Sequence, residues 1–162
     1  MTGLTIRPAH PHELDTVGEL TARAYLADGP IGDRYAAMLA DAHARARDAE
    51  LLVAVDAGGR VLGTVTIALP GRKFADVARD GELEFRMLAV DPTARGRGVG
   101  EALVRAVLDR ARTLALPRVI LSSQQRMTAA HRLYERLGFR RLPDRDWVVP
   151  PDIRLVAYVL DL

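Results

Sequence analysis

Apolar and polar positions along this chain fall into two periods, and the switches between them outline its elements. Leu4 to Arg7 reads as a short strand closed by Pro8, and Pro11 suits a helix start. Leu14, Val17, Leu20 or Thr21, and Ala24 then keep a helical period to about Tyr25. Asp28-Gly29-Pro30 breaks it, and Tyr35, Met38, Leu39, Ala42 and Ala46 mark a second amphipathic helix. Leu51–Asp56 and Val61–Leu69 are expected strands joined by Ala57-Gly58-Gly59-Arg60, a hairpin signal. Residues 70–80 form a loop, and Glu82–Val90 is the central strand. Val99, Leu103, Val107, Ala111 and Leu114 continue into a helix ended by Pro117, followed by a strand at Arg118–Ser123. A helix over Thr128–Leu137 ends at Gly138; Phe139 begins a strand, and Ile153–Leu160 is the last. Residues 143–151 read as a polar loop holding Trp147, the only tryptophan. The order βααβββαβαββ, with Glu82–Val90 and Arg118–Ser123 close to parallel across their helix, predicts one mixed α/β domain over residues 1–162.

The most informative stretch is the junction after the central strand. Asp91-Pro92 stops the strand, and a loop holding Arg95, Gly96, Arg97, Gly98 and Gly100 runs into the next helix. Glycines let a backbone approach a ligand closely, and the first N–H groups of a helix lack internal partners and face outward. The two arginines add positive charge. A plain turn needs one glycine, and three alternating with two arginines point to a phosphate ligand. A nucleoside-triphosphate loop needs Gly-Lys-Ser/Thr, but Glu101 follows Gly100. A dinucleotide fingerprint needs a wider third spacing and an acid after the next strand, which here ends in Ser122-Ser123. A diphosphate-bearing thioester, coenzyme A, fits the loop, with its 3′-phosphate near Arg95 or Arg97.

Composition narrows the chemistry further. The 23 basic and 21 acidic residues give a net charge of +2, and aromatics are 5%, so neither a basic nucleic-acid face nor base stacking is indicated. No cysteine is present, which excludes thiolate metal sites and a cysteine nucleophile and favours direct transfer from cofactor to acceptor. Met1–Arg7 lacks an apolar run of signal length and no segment approaches a membrane span, so the cytosol is the expected compartment. His10, His12, His43 and His131 are scattered, and no metal is expected; they read as surface or capping residues. Met38, Met87 and Met127 read as core filler.

Arg95-x-x-Gly98-x-Gly100 after Leu88-Ala89-Val90-Asp91-Pro92 resembles the acetyl-CoA signature of the GNAT superfamily of N-acetyltransferases. Ala130–Phe139, ending in Leu-Gly-Phe, resembles the family's later helix, in the same order and at a familiar separation. The resemblance implies a GNAT-like α/β (α+β) domain with a mostly antiparallel sheet flanked by helices, acetyl-CoA as co-substrate, and a homodimer. It implies cofactor contacts from Leu88, Ala89, Val90, Arg95, Gly96, Arg97, Gly98, Val99, Gly100 and Ala130, the first three pairing with the pantetheine arm as another strand would. Many relatives carry an asparagine seven residues before the helix tyrosine; here Met127 stands in its place.

Transfer to an amine needs a neutral acceptor, a polarised carbonyl and a proton for the departing thiolate. A lysine-like amine is neutral about once in a few thousand molecules at pH 7, an α-amine in roughly a tenth. Tyr134 matches the family tyrosine that donates to the thiolate. Glu84 lies where the family often places its base, acting directly or through water; the competing reading is an ion pair with Arg86 or another arginine. Glu82, at the strand mouth, is the weaker candidate. Strict alternation puts Glu82, Glu84, Arg86 and Leu88 on one face and Leu83, Phe85, Met87 and Ala89 on the other, unless a bulge intervenes. By resemblance, the acceptor cleft forms from residues 25–35, 72–80 and 141–147, where Asp28, Asp33, Arg34, Asp76, Asp144 and Asp146 lie. The acceptor can be a small-molecule or a peptide amine. The alternatives are a non-catalytic CoA-binding sensor and a transferase using another acyl-CoA.

Overall fold

The computed structural model describes residues 3–162. Its elements are β1 (Thr5–Pro8), α1 (Leu14–Ala27), α2 (Asp33–Ala40), α3 (Ala42–Asp48), β2 (Glu50–Val55), β3 (Val61–Ala68), β4 (Glu82–Val90), α4 (Val99–Thr113), β5 (Arg118–Gln124), α5 (Thr128–Arg136), β6 (Arg140–Arg141), β7 (Trp147–Val149) and β8 (Ile153–Asp161). One sheet runs β1-β2-β3-β4-β5-β8-β6, with β7 also on β8. Every pairing is antiparallel except β4 with β5, which α4 connects.

Two differences from the sequence reading have local causes. The single helix expected over Tyr35–Ala46 is two, because Asp41 leaves helical geometry (φ −88°, ψ 71°) and its carboxylate accepts the Ala44 N–H at 3.0 Å, starting α3. Arg45 of α3 is 1% exposed and donates to the Met38 and Leu39 carbonyls at 2.9 and 2.8 Å, fastening the end of α2. The polar loop at 143–151 contains β7, which pairs Trp147, Val148 and Val149 with Leu155, Arg154 and Ile153.

Helices cover both sheet faces. Val99, Leu103, Val104, Val107 and Ala111 of α4 pack with Tyr134 of α5 over Val65, Ile67, Leu83, Phe85 and Leu121. Each such fully buried Val or Leu is worth roughly 1.5–3 kcal/mol. A Cβ at Gly63 would lie 2.9 Å from Val99, so glycine lets α4 sit close on β3. The other face packs Val17, Leu20 and Ala24 of α1 against Leu51, Val53, Val55 and Ala89.

β4 does not keep one alternation. Thr64 and Thr66 of β3 face Ala89 and Arg86, so two steps on β3 meet three on β4, and Met87 takes a positive φ of 53°. The extra residue reverses the downstream phase. Leu88 and Val90 therefore join Leu83 and Phe85 on the α4 face, while Ala89 turns toward α1. Leu88 thus leaves the face it would share with Glu84 under strict alternation.

Candidate active site

β4 and β5 are paired only over Glu82–Phe85 and Arg118–Leu121. Beyond that point the strands separate, and two clefts open at the gap. The first is lined by Tyr25, Tyr35, Glu84, Arg86, Tyr134 and Trp147 among others. The second runs between the start of α4 and the start of α5, past Arg95, Gly96, Gly98, Gly100, Arg126 and Arg132. Leu88, Met127 and Ala130 line both.

The second cleft is built by the glycine loop. Gly98, the residue before α4, holds a left-handed conformation at φ 78° and ψ 13°, which glycine adopts without strain. A side chain at Gly96 or Gly98 would meet nothing within 4 Å, so the loop leaves open space before the helix N–H groups. Gly100 lies 3.3 Å, from its would-be Cβ, to Leu133 of α5, which sets how closely α4 and α5 approach. Arg95 is tied to Asp28 at 3.0 Å and to the Ala24 carbonyl at 3.0 Å, so its charge is shared; Arg97 is exposed. Arg126, Arg132 and Arg136 add cations that the sequence reading did not single out. Their signal was present: Arg132 and Arg136 are one helical turn apart on α5. Met127 gives α5 no side-chain cap.

In the first cleft Glu84 is 1% exposed. Its Oε1 accepts the backbone N–H groups of Val77 and Ala78 at 2.9 and 3.0 Å, while Oε2 is buried without a partner among the described residues. Burial pushes its carboxyl above the ordinary range, and the two N–H bonds and Arg86 offset this only in part. The expected competitor, a Glu84–Arg86 ion pair, does not form: Arg86 pairs with Asp76 at 3.1 Å and donates to the Phe74 carbonyl at 3.3 Å. Glu82 is committed elsewhere, to Arg145 at 2.7 Å and to the Arg79 N–H at 2.8 Å. Burial raises its carboxyl, but Arg145, Arg79 and Arg118 outweigh this and hold it below the ordinary range. Arg145 also bonds the Val77 carbonyl. Glu82, Glu84, Arg86 and Arg145 together strap the 74–80 loop against β4.

Tyr134 is 4% exposed, edge-on to Phe85 with ring centroids at 5.8 Å, and also packed on Phe139 and Tyr158. Burial, with Tyr158 nearby, raises its hydroxyl well above the ordinary tyrosine range. Trp147 Nε1 donates to Ser122 Oγ at 3.1 Å, placing the indole on the cleft wall. Tyr25 and Tyr35, at the ends of the expected 25–35 segment, meet at 6.1 Å, and burial raises both hydroxyls. Of the six charged loop residues named from sequence, Asp76 alone lines this cleft. Asp28 pairs with Arg95, Asp146 pairs with Arg141 at 2.7 Å, and Asp33, Arg34 and Asp144 are exposed. His131 is not a surface residue: half-buried, it meets Ser123 Oγ at 3.0 Å and packs on Tyr158. No grouping of three or more metal-ligating side chains occurs among the described residues, and no helix there is long and apolar enough to cross a membrane.

Residues 14–139 match the acetyltransferase (GNAT) family. The chain is 40% identical over 146 residues to a mycothiol acetyltransferase of Salinispora tropica, covering 86% of this chain and 45% of that protein. It is 39% identical over 72 residues to the N-acetylaspartate synthetase of Danio rerio, covering 44% of this chain and 26% of that protein. The chain thus spans less than half the length of these relatives. Among solved structures, a Salmonella typhimurium protein determined with its cofactor acetyl-CoA superimposes with a TM-score of 0.71 at 24% identity, over 99% of this chain and 95% of that one.

Proposed function

As the chain belongs to the GNAT acetyltransferase family, we propose that it transfers an acetyl group from acetyl-CoA directly to an amine, with Glu84 as base and Tyr134 as acid. One observation carries the reading. Glu84 presents a buried oxygen without a partner in a cleft that shares a wall with the glycine-loop cleft. A buried carboxylate oxygen left unmatched costs stability, and a proton-bearing substrate would satisfy it.

Acetyl-CoA supplies an activated acetyl group: an N–C bond forms as the C–S bond breaks, and one proton passes overall from nitrogen to sulfur. Gly96, Arg97, Gly98, Val99 and Gly100 offer N–H groups, open space and a cation for a diphosphate, with Arg95 beside them. The stretch Leu88–Val90, without a β5 partner, has backbone groups free for an extended arm, and Ala130 walls the same space. Glu84 Oε2 takes a proton from the acceptor amine. Its raised proton affinity brings it nearer to the amine it must deprotonate, which general-base catalysis favours. The Tyr134 hydroxyl stays protonated at neutral pH and is suited to return a proton to sulfur. The similarity to a mycothiol acetyltransferase and to an N-acetylaspartate synthetase supports an amine on a small molecule.

The test measures free-thiol release from acetyl-CoA with a panel of amines. Glu84→Gln should lower kcat/KM by about 10²- to 10⁴-fold, and Tyr134→Phe should lower kcat, with acetyl-CoA still raising the melting temperature of both. Unchanged turnover in both variants would exclude this assignment.

A further inference from the structure

The acceptor cleft holds one cation that the transfer chemistry does not use. Arg86 lies two residues beyond Glu84 on the same face of β4, about 6.6 Å along the strand. Its Nη1 is occupied by Asp76 and the Phe74 carbonyl. Its Nε and Nη2 have no protein partner among the described residues, although the side chain is only 21% exposed. Arg86 lines the cleft together with Tyr25 and Tyr35.

We infer that the acceptor is an α-amino acid, its amine at Glu84 and its carboxylate on the free edge of Arg86. The inference rests on the reading of Glu84 as base. Its physical grounds are three. A guanidinium edge with two adjacent free N–H groups matches a carboxylate bidentately. An amine without an acid group would leave those half-buried donors unmatched in the closed complex. The cleft's own charges, Glu84, Asp76 and Arg86, sum to one negative charge while Glu84 is ionised, so an acid group finds its counter-charge only at Arg86. Asp76 then has a second role. It neutralises Arg86 before the acceptor arrives and competes with the acceptor's carboxylate for the same cation. An α-amine also suits a carboxylate base, since roughly a tenth of it is already neutral at pH 7.

The experiment compares amino acids with their own primary amides, at saturating acetyl-CoA, by free-thiol release. Direct binding of the amino acid to the CoA-bound protein is followed by calorimetry. In the unsubstituted chain the acid should exceed its amide in kcat/KM by about 10- to 100-fold. Arg86→Gln should collapse that ratio toward one and abolish the calorimetric signal, with Arg86→Lys restoring part of each. Asp76→Asn should lower KM for the acid by relieving the competition. Amides used as well as acids, an Arg86→Gln loss equal for both, or no turnover across the amino-acid panel would each overturn the proposal. Failure of the base reading looks different. There Glu84→Gln retains transfer to acids and amides alike, while the ratio still depends on Arg86.

Discussion

Glu84 and Asp91 stand near the two ends of β4 and are almost equally buried, at 1% and 4% exposure, yet the fold treats their carboxylates in opposite ways. Asp91 is surrounded by donors. Oδ1 accepts the Thr93 N–H at 2.9 Å and its hydroxyl at 2.8 Å, and Oδ2 accepts Arg23 at 3.0 Å and Arg60 at 3.2 Å. Burial works against this carboxyl, but those donors bring it down to about 2. Glu84 receives two backbone N–H groups on one oxygen and nothing on the other, so burial prevails and its proton affinity rises. Depth alone therefore does not decide how a carboxylate behaves; the supply of donors does. Asp91 anchors the turn that leads into the glycine loop, whereas Glu84 is left able to accept one more proton.

The largest effect that would sharpen this contrast is on stability. Asp91→Ala should cost roughly 2–3 kcal/mol in urea unfolding, because two arginines and the Thr93 N–H lose their acceptor. A change within experimental error would show that water replaces those bonds freely. Next comes acid unfolding. The folded Asp91 carboxyl at about 2 lies below its ordinary value of 3.8, so its contribution is complete above pH 4 and disappears as pH falls through 2. The unsubstituted chain should lose about 2 kcal/mol across that window, and Asp91→Asn should lack this part of the slope. The smallest effect has the opposite sign. Glu84 is raised above 4.5, so its contribution is present below pH 4.5 and is lost as pH rises through the folded value. Glu84→Gln should therefore gain stability relative to the parent as pH rises from 4 to 7. Equal destabilisation at both pH values would mean that Glu84 acts mainly as a clamp on Val77 and Ala78.

Features set by neighbouring residues were legible in the sequence. The Asp91-Pro92 stop, the Gly96–Gly100 loop, the α4 stripe and the hairpin at residues 57–60 each depend on chemistry within a few positions. Choices made across the fold were not. Whether Glu84 pairs with Arg86 depended on how the 74–80 loop lies over β4, and that loop gives amides to one side chain and Asp76 to the other. Arg95 found Asp28 from 67 residues away. Trp147 reached Ser122 only because β7 exists, and three residues between prolines carry too little pattern to announce a strand. The division of α2 from α3 at Asp41 was written in a capping side chain that the apolar period masked.

The added residue at Met87 has a consequence for how this chain can change length. The turn at residues 57–60 can gain or lose a residue and let solvent absorb the difference. The middle of β4 carries its spare residue inside the sheet. Deleting one residue at Met87 would restore strict alternation with two steps from Phe85 to Leu88, so Leu88 and Val90 would stay on the α4 face and Ala89 on the α1 face. A single codon lost there would spare the packed layer beneath α4, whereas one lost at Ala89 would turn Val90 out of that layer toward α1.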